Sequence, residues 1–293
     1  MTICVYLHTL LNLENKDIME QRLKDITAVV NHKGGVAKTS TVLSIAGGLL
    51  RRDKNTRVLV IDMDPQCNLS MLCGWDGGEG LPTIYDALSK KGEEKGIPVY
   101  KSENGYYYSP SSKELQSVDR ELHDQAIPQG VLFNRFAYPV EDHTGEGLED
   151  IMSSFDYVLI DCPPSLSDTT SNAIVVSSRI LIPVQLEPLS YNGLSSILLK
   201  QTSLDIKLRK LLMGGSWEKQ DLAIVPVMTD GDTKVARGYL GMLQESFGDF
   251  LTKARIRKDV KMRESQGLFT DIFVHAPYSR CAIDYEQLIK ELY

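Results

Sequence analysis

The feature that most constrains this chain is the stretch Ile26-Thr27-Ala28-Val29-Val30-Asn31-His32-Lys33-Gly34-Gly35-Val36-Ala37-Lys38-Thr39-Ser40-Thr41, continuing as Val42-Leu43-Ser44-Ile45-Ala46. A short β-branched run, a Gly-Gly turn and a Lys-Thr pair opening an apolar helix form the arrangement by which proteins turn backbone N–H groups towards a phosphate chain. Gly34 and Gly35 let bare backbone approach, where a Cβ would obstruct. Lys38 stands where its ammonium reaches β- and γ-phosphate oxygens, and Thr39 where its hydroxyl can ligate Mg²⁺. The backbone from Gly34 through Val36 and Ala37 to Ser40 supplies further donors, and the helix adds its positive end. The stretch reads as a nucleotide site.

Two more segments converge on it. Arg57-Val58-Leu59-Val60-Ile61-Asp62-Met63-Asp64-Pro65-Gln66 is an apolar run ending in two aspartates, and Tyr157-Val158-Leu159-Ile160-Asp161-Cys162-Pro163-Pro164-Ser165 is another that delivers Asp161. Continuous apolar runs read as buried parallel strands, whose carboxyl ends are where open α/β sheets hold ligands. An aspartate at that edge can hold Mg²⁺ directly or through water, completing a metal site with Thr39; an N-cap role for Asp161 is the structural alternative. The loop after it could respond to a γ-phosphate. Further strands are read at 180–184 and 222–227, with helices at 41–52, 83–90, 193–212, 233–250 and 278–293. Gly47-Gly48 implies close approach of another element to the first helix. This β-α alternation implies a single α/β domain over residues 26–293, a doubly wound, mostly parallel sheet flanked by helices. Residues 91–110 read as polar and irregular, apart from a strand at Tyr106-Tyr107-Tyr108, and residues 1–25 as an N-terminal extension that is either helical or poorly ordered, with Met19 an alternative start.

Composition excludes several classes. No apolar run approaches the ~20 residues that span a bilayer. The first residues lack a basic n-region, so a secretory leader is not expected and the chain is placed in the cytoplasm. Five cysteines without a C-x-x-C pair argue against a cluster or a disulfide framework. A net charge of −7 predicts no global attraction to nucleic acid, so any DNA contact must come from a local patch.

The loop misses the strict G-x-x-x-x-G-K-[ST] pattern, because His32 stands at its first Gly and Ala37 at the Gly before Lys38. What is present, K-G-G-x-A-K-T with the additional Lys33, resembles the deviant phosphate loop K-G-G-x-G-K-T of the ParA/MinD ATPases. Ala37 departs from that family's glycine; an alanine suits the position at negative φ, and the change bears on how tightly the loop closes. The resemblance to ParA-type partition ATPases runs from about Ile26 to Tyr293. Val58 to Ser70, Tyr157 to Ser165, Ile182-Pro183-Val184-Gln185-Leu186-Glu187-Pro188 and Ile256-Arg257-Lys258-Asp259-Val260 are its further motifs. It implies a slow, partner-stimulated ATPase using ATP and Mg²⁺. It also implies an ATP-dependent homodimer in which Lys33 reaches the partner's ATP. Asp64 would orient the attacking water and Asp62 support the metal or switch network. Such proteins bind DNA non-specifically and move plasmid or chromosomal DNA with a centromere-binding, ParB-like partner, in association with the nucleoid.

For DNA the candidate patch is Lys253, Arg255, Arg257, Lys258, Lys261 and Arg263, and a second basic group is Lys200, Lys207, Arg209 and Lys210. A solvated charged face is the plain alternative for both. The different-class reading is a MinD-like nucleotide switch that positions a protein or membrane cargo without DNA. Against a membrane anchor, the chain's last residues, Asp284 to Tyr293, are acidic rather than basic.

Overall fold

In this computed structural model the described residues are 26–89, 96–136, 138–187, 190–214, 218–230 and 233–293. The expectations for residues 1–25, including a start at Met19, lie outside them.

The strands are β1 (Ile26–Val29), β2 (Val58–Asp62), β3 (Pro98–Lys101), β4 (Tyr107–Ser109), β5 (Glu141–Asp142), β6 (Tyr157–Asp161), β7 (Arg179–Val184) and β8 (Asp221–Pro226). They form an eight-stranded sheet in the order β5-β3-β4-β2-β6-β1-β7-β8. All neighbours are parallel except β3 and β4. The expected doubly wound, mostly parallel α/β fold is what the chain adopts.

β1 and β2 are buried along their whole length because helices cover both faces, which is why they read as unbroken apolar runs. Alternate residues feed two cores. Ala28, Leu59, Ile61, Ile160 and Ile182 face one, and Val29, Val58, Val60, Leu159 and Leu181 the other.

In chain order the helices are α1 (Lys38–Arg52), α2 (Asn68–Leu72), α3 (Ile84–Leu88), α4 (Leu115–His123), α5 (Val131–Arg135), α6 (Ile151–Ser154), α7 (Asp168–Val176), α8 (Ser190–Leu204), α9 (Lys210–Met213), α10 (Lys234–Phe247), α11 (Val260–Gly267), α12 (Ile272–His275) and α13 (Arg280–Leu292). α4, α5 and α7 cover the first core, and α1, α12 and α13 the second.

Register fixes the functional edge. Asp161 of β6 pairs with Asp62 of β2 on one side and with Val29 of β1 on the other. Both aspartates therefore emerge at the carboxyl edge where β1 runs into the Gly-Gly loop.

Three elements differ from the sequence reading. β3 occupies part of 91–110, expected to be irregular, and β5 falls in 111–150, read as helix and acidic loop, because short strands near a sheet edge need little apolar length. Ser190 to Met213 is helical throughout, but α8 and α9 are joined by a π-helical turn over Asp205–Arg209. Inside that turn Arg209 is buried and pairs with Asp205 at 2.7 Å, while Lys200 donates to the carbonyls of Leu166 and Ser167. These two cations hold the fold together, which removes them from the second basic group. Finally, residues 251–257 run as an extended segment beside β8, with Thr252 N–H donating to the Ile224 carbonyl at 2.9 Å and Ile256 N–H to the Pro226 carbonyl at 2.8 Å. Two-residue alternation buries Thr252, Ala254 and Ile256 and turns Lys253, Arg255 and Arg257 outward.

The paired glycines of α1 are a close-approach site as expected. A Cβ on Gly48 would lie 2.2 Å from Cδ1 of Ile289 and 2.9 Å from the Phe273 ring, and one on Gly47 2.4 Å from the Asp271 carboxyl carbon. Overpacking of this kind costs about 1–3 kcal/mol, which exceeds the ~1 kcal/mol helical advantage of alanine. Gly48→Ala is therefore expected to destabilise the protein, whereas Gly241→Ala in α10, where a Cβ meets nothing within 4 Å, is expected to stabilise it by about 0.5–1 kcal/mol. Urea denaturation of the two variants beside the parent protein checks the opposite signs.

Candidate nucleotide site

The loop after β1 is clamped from below before it turns. Val30 N–H donates to the Leu181 carbonyl at 3.0 Å, the buried Asn31 amide donates to the Pro183 carbonyl at 2.7 Å, and Asn31 Oδ1 accepts from Lys33 N–H at 3.0 Å. The turn then passes through Gly35 at φ +73 and Ala37 at φ +61, ψ 28. The negative φ at which an alanine is tolerable there is not what the chain adopts. The loop needs a left-handed residue just before Lys38, and an alanine occupies it at a cost of about 1–2 kcal/mol. From there α1 begins at once, with Thr41 N–H donating to the Ala37 carbonyl at 2.9 Å.

Lys38 is buried, and its ammonium donates to the Lys33 carbonyl at 3.2 Å. Burial pushes its pKa down, opposed chiefly by the carboxylate of Asp161. Thr39 donates its hydroxyl proton to Asp161 Oδ2 at 2.6 Å. The other oxygen, Asp161 Oδ1, is buried and accepts no hydrogen bond from the described residues. Burial, and then the neighbouring Asp62, push Asp161 well above the usual carboxylate range, so this edge favours an added positive charge. Hydroxyl and carboxylate oxygens are hard donors suited to Mg²⁺, and the orphaned oxygen belongs to the same carboxylate that accepts from Thr39. Among the described residues no group of three or more His, Cys, Asp or Glu is gathered to hold a metal.

Asp62 does different work from Asp161. One oxygen accepts from the Ser70 hydroxyl at 2.6 Å and from Ser70 N–H at 2.8 Å, and the other accepts from Asp64 N–H at 3.0 Å. Burial raises its pKa to about 6 against those hydrogen bonds. With both oxygens committed, Asp62 supports the loop that carries Asp64. Asp64 itself is half-buried and caps the next turn, its Oδ1 accepting from Gln66 N–H at 2.9 Å.

Lys33 folds back on its own chain. Its ammonium pairs with the Glu187 carboxylate and donates to Gln185 Oε1 at 3.2 Å. Gln185 in turn donates to the Gly35 carbonyl at 3.4 Å and to the Met228 sulfur at 3.0 Å. Ser40 Oγ accepts from the side-chain amide of Gln266 on α11 at 2.7 Å. Gln266 carries no signature that sequence reading could have used, since its partner lies 226 residues away, and Ser70 closed the Val58 to Ser70 motif without an assigned role. Gln185 and Glu187 did stand inside a motif, without an assigned role.

The basic candidates are only partly brought together. Lys253, Arg255 and Arg257 line an open concavity of about 390 Å³ with Thr229, Gln287 and Arg237, the last contributed by α10 and missed in the sequence. Arg257 also pairs with Asp284, its Nη2 donating to Oδ1 at 2.6 Å and Nε to Oδ2 at 2.9 Å. Lys258 lies 4.0 Å from Asp230, and Lys261 pairs with Glu264 at 2.7 Å. Lys261 and Arg263 belong to α11 rather than to the concavity.

Fold and loop together define a P-loop nucleotide hydrolase of the deviant kind, and comparison with known proteins agrees. The sequence matches the family described as an AAA domain, AAA_31, over residues 24–212. It is similar to the chromosome-partitioning ATPase Soj of Thermus thermophilus, with 30% identity over 268 residues covering 90% of this chain and 94% of that protein. The fold is similar to apo McdA of Cyanothece, with a TM-score of 0.74 and 21% identity over 91% of this chain and 98% of that one. It is also similar to the cobyrinic acid a,c-diamide synthase of Mycobacterium smegmatis crystallised with an ATP analogue and magnesium, with a TM-score of 0.70 and 24% identity over 92% and 94% of the two chains. The chain belongs to the AAA_31 family, within the ParA/MinD superfamily of P-loop ATPases.

The left-handed alanine yields a direct test. Ala37→Gly relieves the αL strain while adding unfolded-state entropy, so it is expected to be neutral or to stabilise the protein by up to about 1 kcal/mol. The same change at the buried, right-handed Ala46 of α1 is expected to destabilise by about 1 kcal/mol or more. Urea unfolding of both variants measures the contrast.

Proposed function

We propose that this protein is an ATPase that dimerises with ATP, binds DNA non-specifically and drives plasmid or chromosome partition with a centromere-binding partner. The observation that carries the reading is the meeting of the phosphate loop, the Thr39–Asp161 pair and the extra Lys33 at one sheet edge. The relative named as a chromosome-partitioning ATPase supports the cellular role.

Phosphoryl transfer asks a protein mainly for positioning and charge neutralisation. The backbone of Gly34 to Ser40 and the Lys38 ammonium bind the ATP phosphates, Lys38 exchanging its bond to the Lys33 carbonyl for a phosphate oxygen. Thr39 would hold Mg²⁺ through its hydroxyl and Asp161 through water, and the bound ion supplies positive charge to the β- and γ-phosphates. Asp64, kept in place by Asp62 and Ser70, orients the attacking water. Lys33 of each protomer offsets charge on the partner's γ-phosphate. Hydrolysis removes that charge and with it the reason for the dimer to persist.

DNA binding is assigned to the outward face of residues 253–257 with Arg237 of α10. A dimer doubles this basic surface, which overcomes an overall net charge of −7 only locally. Phosphate contacts of that kind carry no sequence information and weaken with salt. Among the described residues no helix is long and apolar enough to cross a membrane. The setting proposed is the cytoplasm, at the nucleoid.

Binding of unrelated duplexes to the purified protein with ADP, ATP and a slowly hydrolysed analogue, at two salt concentrations, tests the reading. Binding is expected only with the triphosphates, irrespective of sequence. Arg255→Ala is expected to lower affinity uniformly and to reduce the slope of log affinity against log salt by about 1. Arg257→Ala is a poorer probe because it also removes the guanidinium paired with the buried carboxylate of Asp284, leaving it the backbone N–H of residue 257. Absence of DNA binding in every nucleotide state, with ATP-driven dimerisation intact, would transfer the role to a switch acting on a protein or membrane cargo.

A further inference from the structure

We infer that Glu187 is a latch: it parks Lys33 on the protein's own surface and so sets the threshold for nucleotide-driven assembly. This rests on the proposed function, in which Lys33 acts across the dimer.

Lys33 cannot serve two anions at once. In the free chain its ammonium is neutralised by Glu187 and held by the Gln185 side-chain oxygen at 3.2 Å. Both side chains sit on the segment that leaves the carboxyl end of β7, beside the loop rather than beyond it. Reaching a partner's phosphate requires that this pair open. The Lys33 and Glu187 side chains retain 34% and 40% of their exposure, so water screens the pair and it can separate. The enclosed Arg209–Asp205 pair, at 2% and 4%, shows by contrast what a permanent bond in this protein looks like.

The latch is also in touch with the nucleotide site. The Gln185 amide spans from the Lys33 ammonium to the carbonyl of Gly35, inside the phosphate loop. The Lys33 carbonyl meanwhile holds the ammonium of Lys38. A phosphate chain entering the loop draws Lys38 off that carbonyl and changes the surroundings of Gly35, so filling the site disturbs both ends of Lys33 at once. Nucleotide entry thereby weakens the hold on the lysine before any partner arrives. Glu187 is a positioning residue in this scheme, acting through Lys33 and not on the substrate.

The test is the protein concentration at which ATP-dependent dimers form, measured by sedimentation velocity with a slowly hydrolysed ATP analogue and Mg²⁺, and again with ADP. Glu187→Gln is expected to lower that concentration about two- to fivefold per protomer, the range of a half-exposed ion pair, and to remain monomeric with ADP. Glu187→Lys, which repels Lys33, is expected to lower it further. Damage to the fold would weaken assembly, so a gain with this order has no structural substitute. Unchanged or weaker assembly in both variants, with thermal unfolding like the parent's, overturns the latch. Lys33→Ala separates the two ideas. If it dimerises like the parent, the cross-dimer lysine itself is wrong and the latch falls with it. If it fails to dimerise while Glu187→Gln behaves like the parent, only the latch is lost.

Discussion

Three ionisable groups are buried at the carboxyl edge of the sheet, Asp62 and Asp161 on neighbouring strands and Lys38 at the start of α1, and the design of the site follows from how each is satisfied. An unpaired buried charge is expensive, so each must find a partner or change its protonation. Asp62 is satisfied within the chain by Ser70 and Asp64 N–H, which makes it a structural anchor. Among the described residues Lys38 is satisfied only by a backbone carbonyl, and Asp161 only by Thr39 on one oxygen. Those two groups are the ones with something to gain from a ligand. A triphosphate brings anionic oxygens to Lys38 and a divalent cation brings positive charge to Asp161, so the edge is complementary to the pair together better than to either alone.

The same edge is wired to the surface proposed for DNA. Ser40, in the first turn of α1, accepts from Gln266 on α11, and α11 starts two residues after Lys258 at the end of the basic segment. On the other side Arg257 is fixed to Asp284 of α13, a helix whose Tyr285 hydroxyl meets Thr41 of α1 at 3.1 Å. α1, the helix that opens at the Gly-Gly loop, thus touches both elements that carry or brace the basic strip. These contacts give a physical route by which nucleotide state and the outer basic face can bias one another.

Much of this was legible in the sequence because fully buried parallel strands read as unbroken apolar runs and because phosphate binding constrains residue type at every step of a short loop. Asp62, Asp64 and Asp161 could be placed at the sheet edge for that reason alone. What escaped depends on distance or on backbone geometry. β3 and β5 are short and form the last two strands on one side of the sheet, so periodicity has nothing to register. Ala37 hides a left-handed turn behind a residue that rarely adopts one. Arg209 looked like a surface cation until the π-helical turn carried it inside to Asp205. Arg237 joins Lys253 and Arg255 only because α10 folds back over the extended segment. Glu187 is visible in its motif, yet its meaning depends on finding Lys33 beside it.

The central claim, that two copies of this chain complete each other's sites, is most directly tested by mixing two inactive variants. Lys33→Ala keeps Asp64 but has no lysine to lend, and Asp64→Ala lends the lysine but cannot orient water. ATP hydrolysis, low for each variant alone, is predicted to reappear in the mixture, because in a mixed dimer the Lys33→Ala protomer receives Lys33 from its partner. A mixture that stays inactive although cross-linking shows the mixed dimer with ATP would contradict the account.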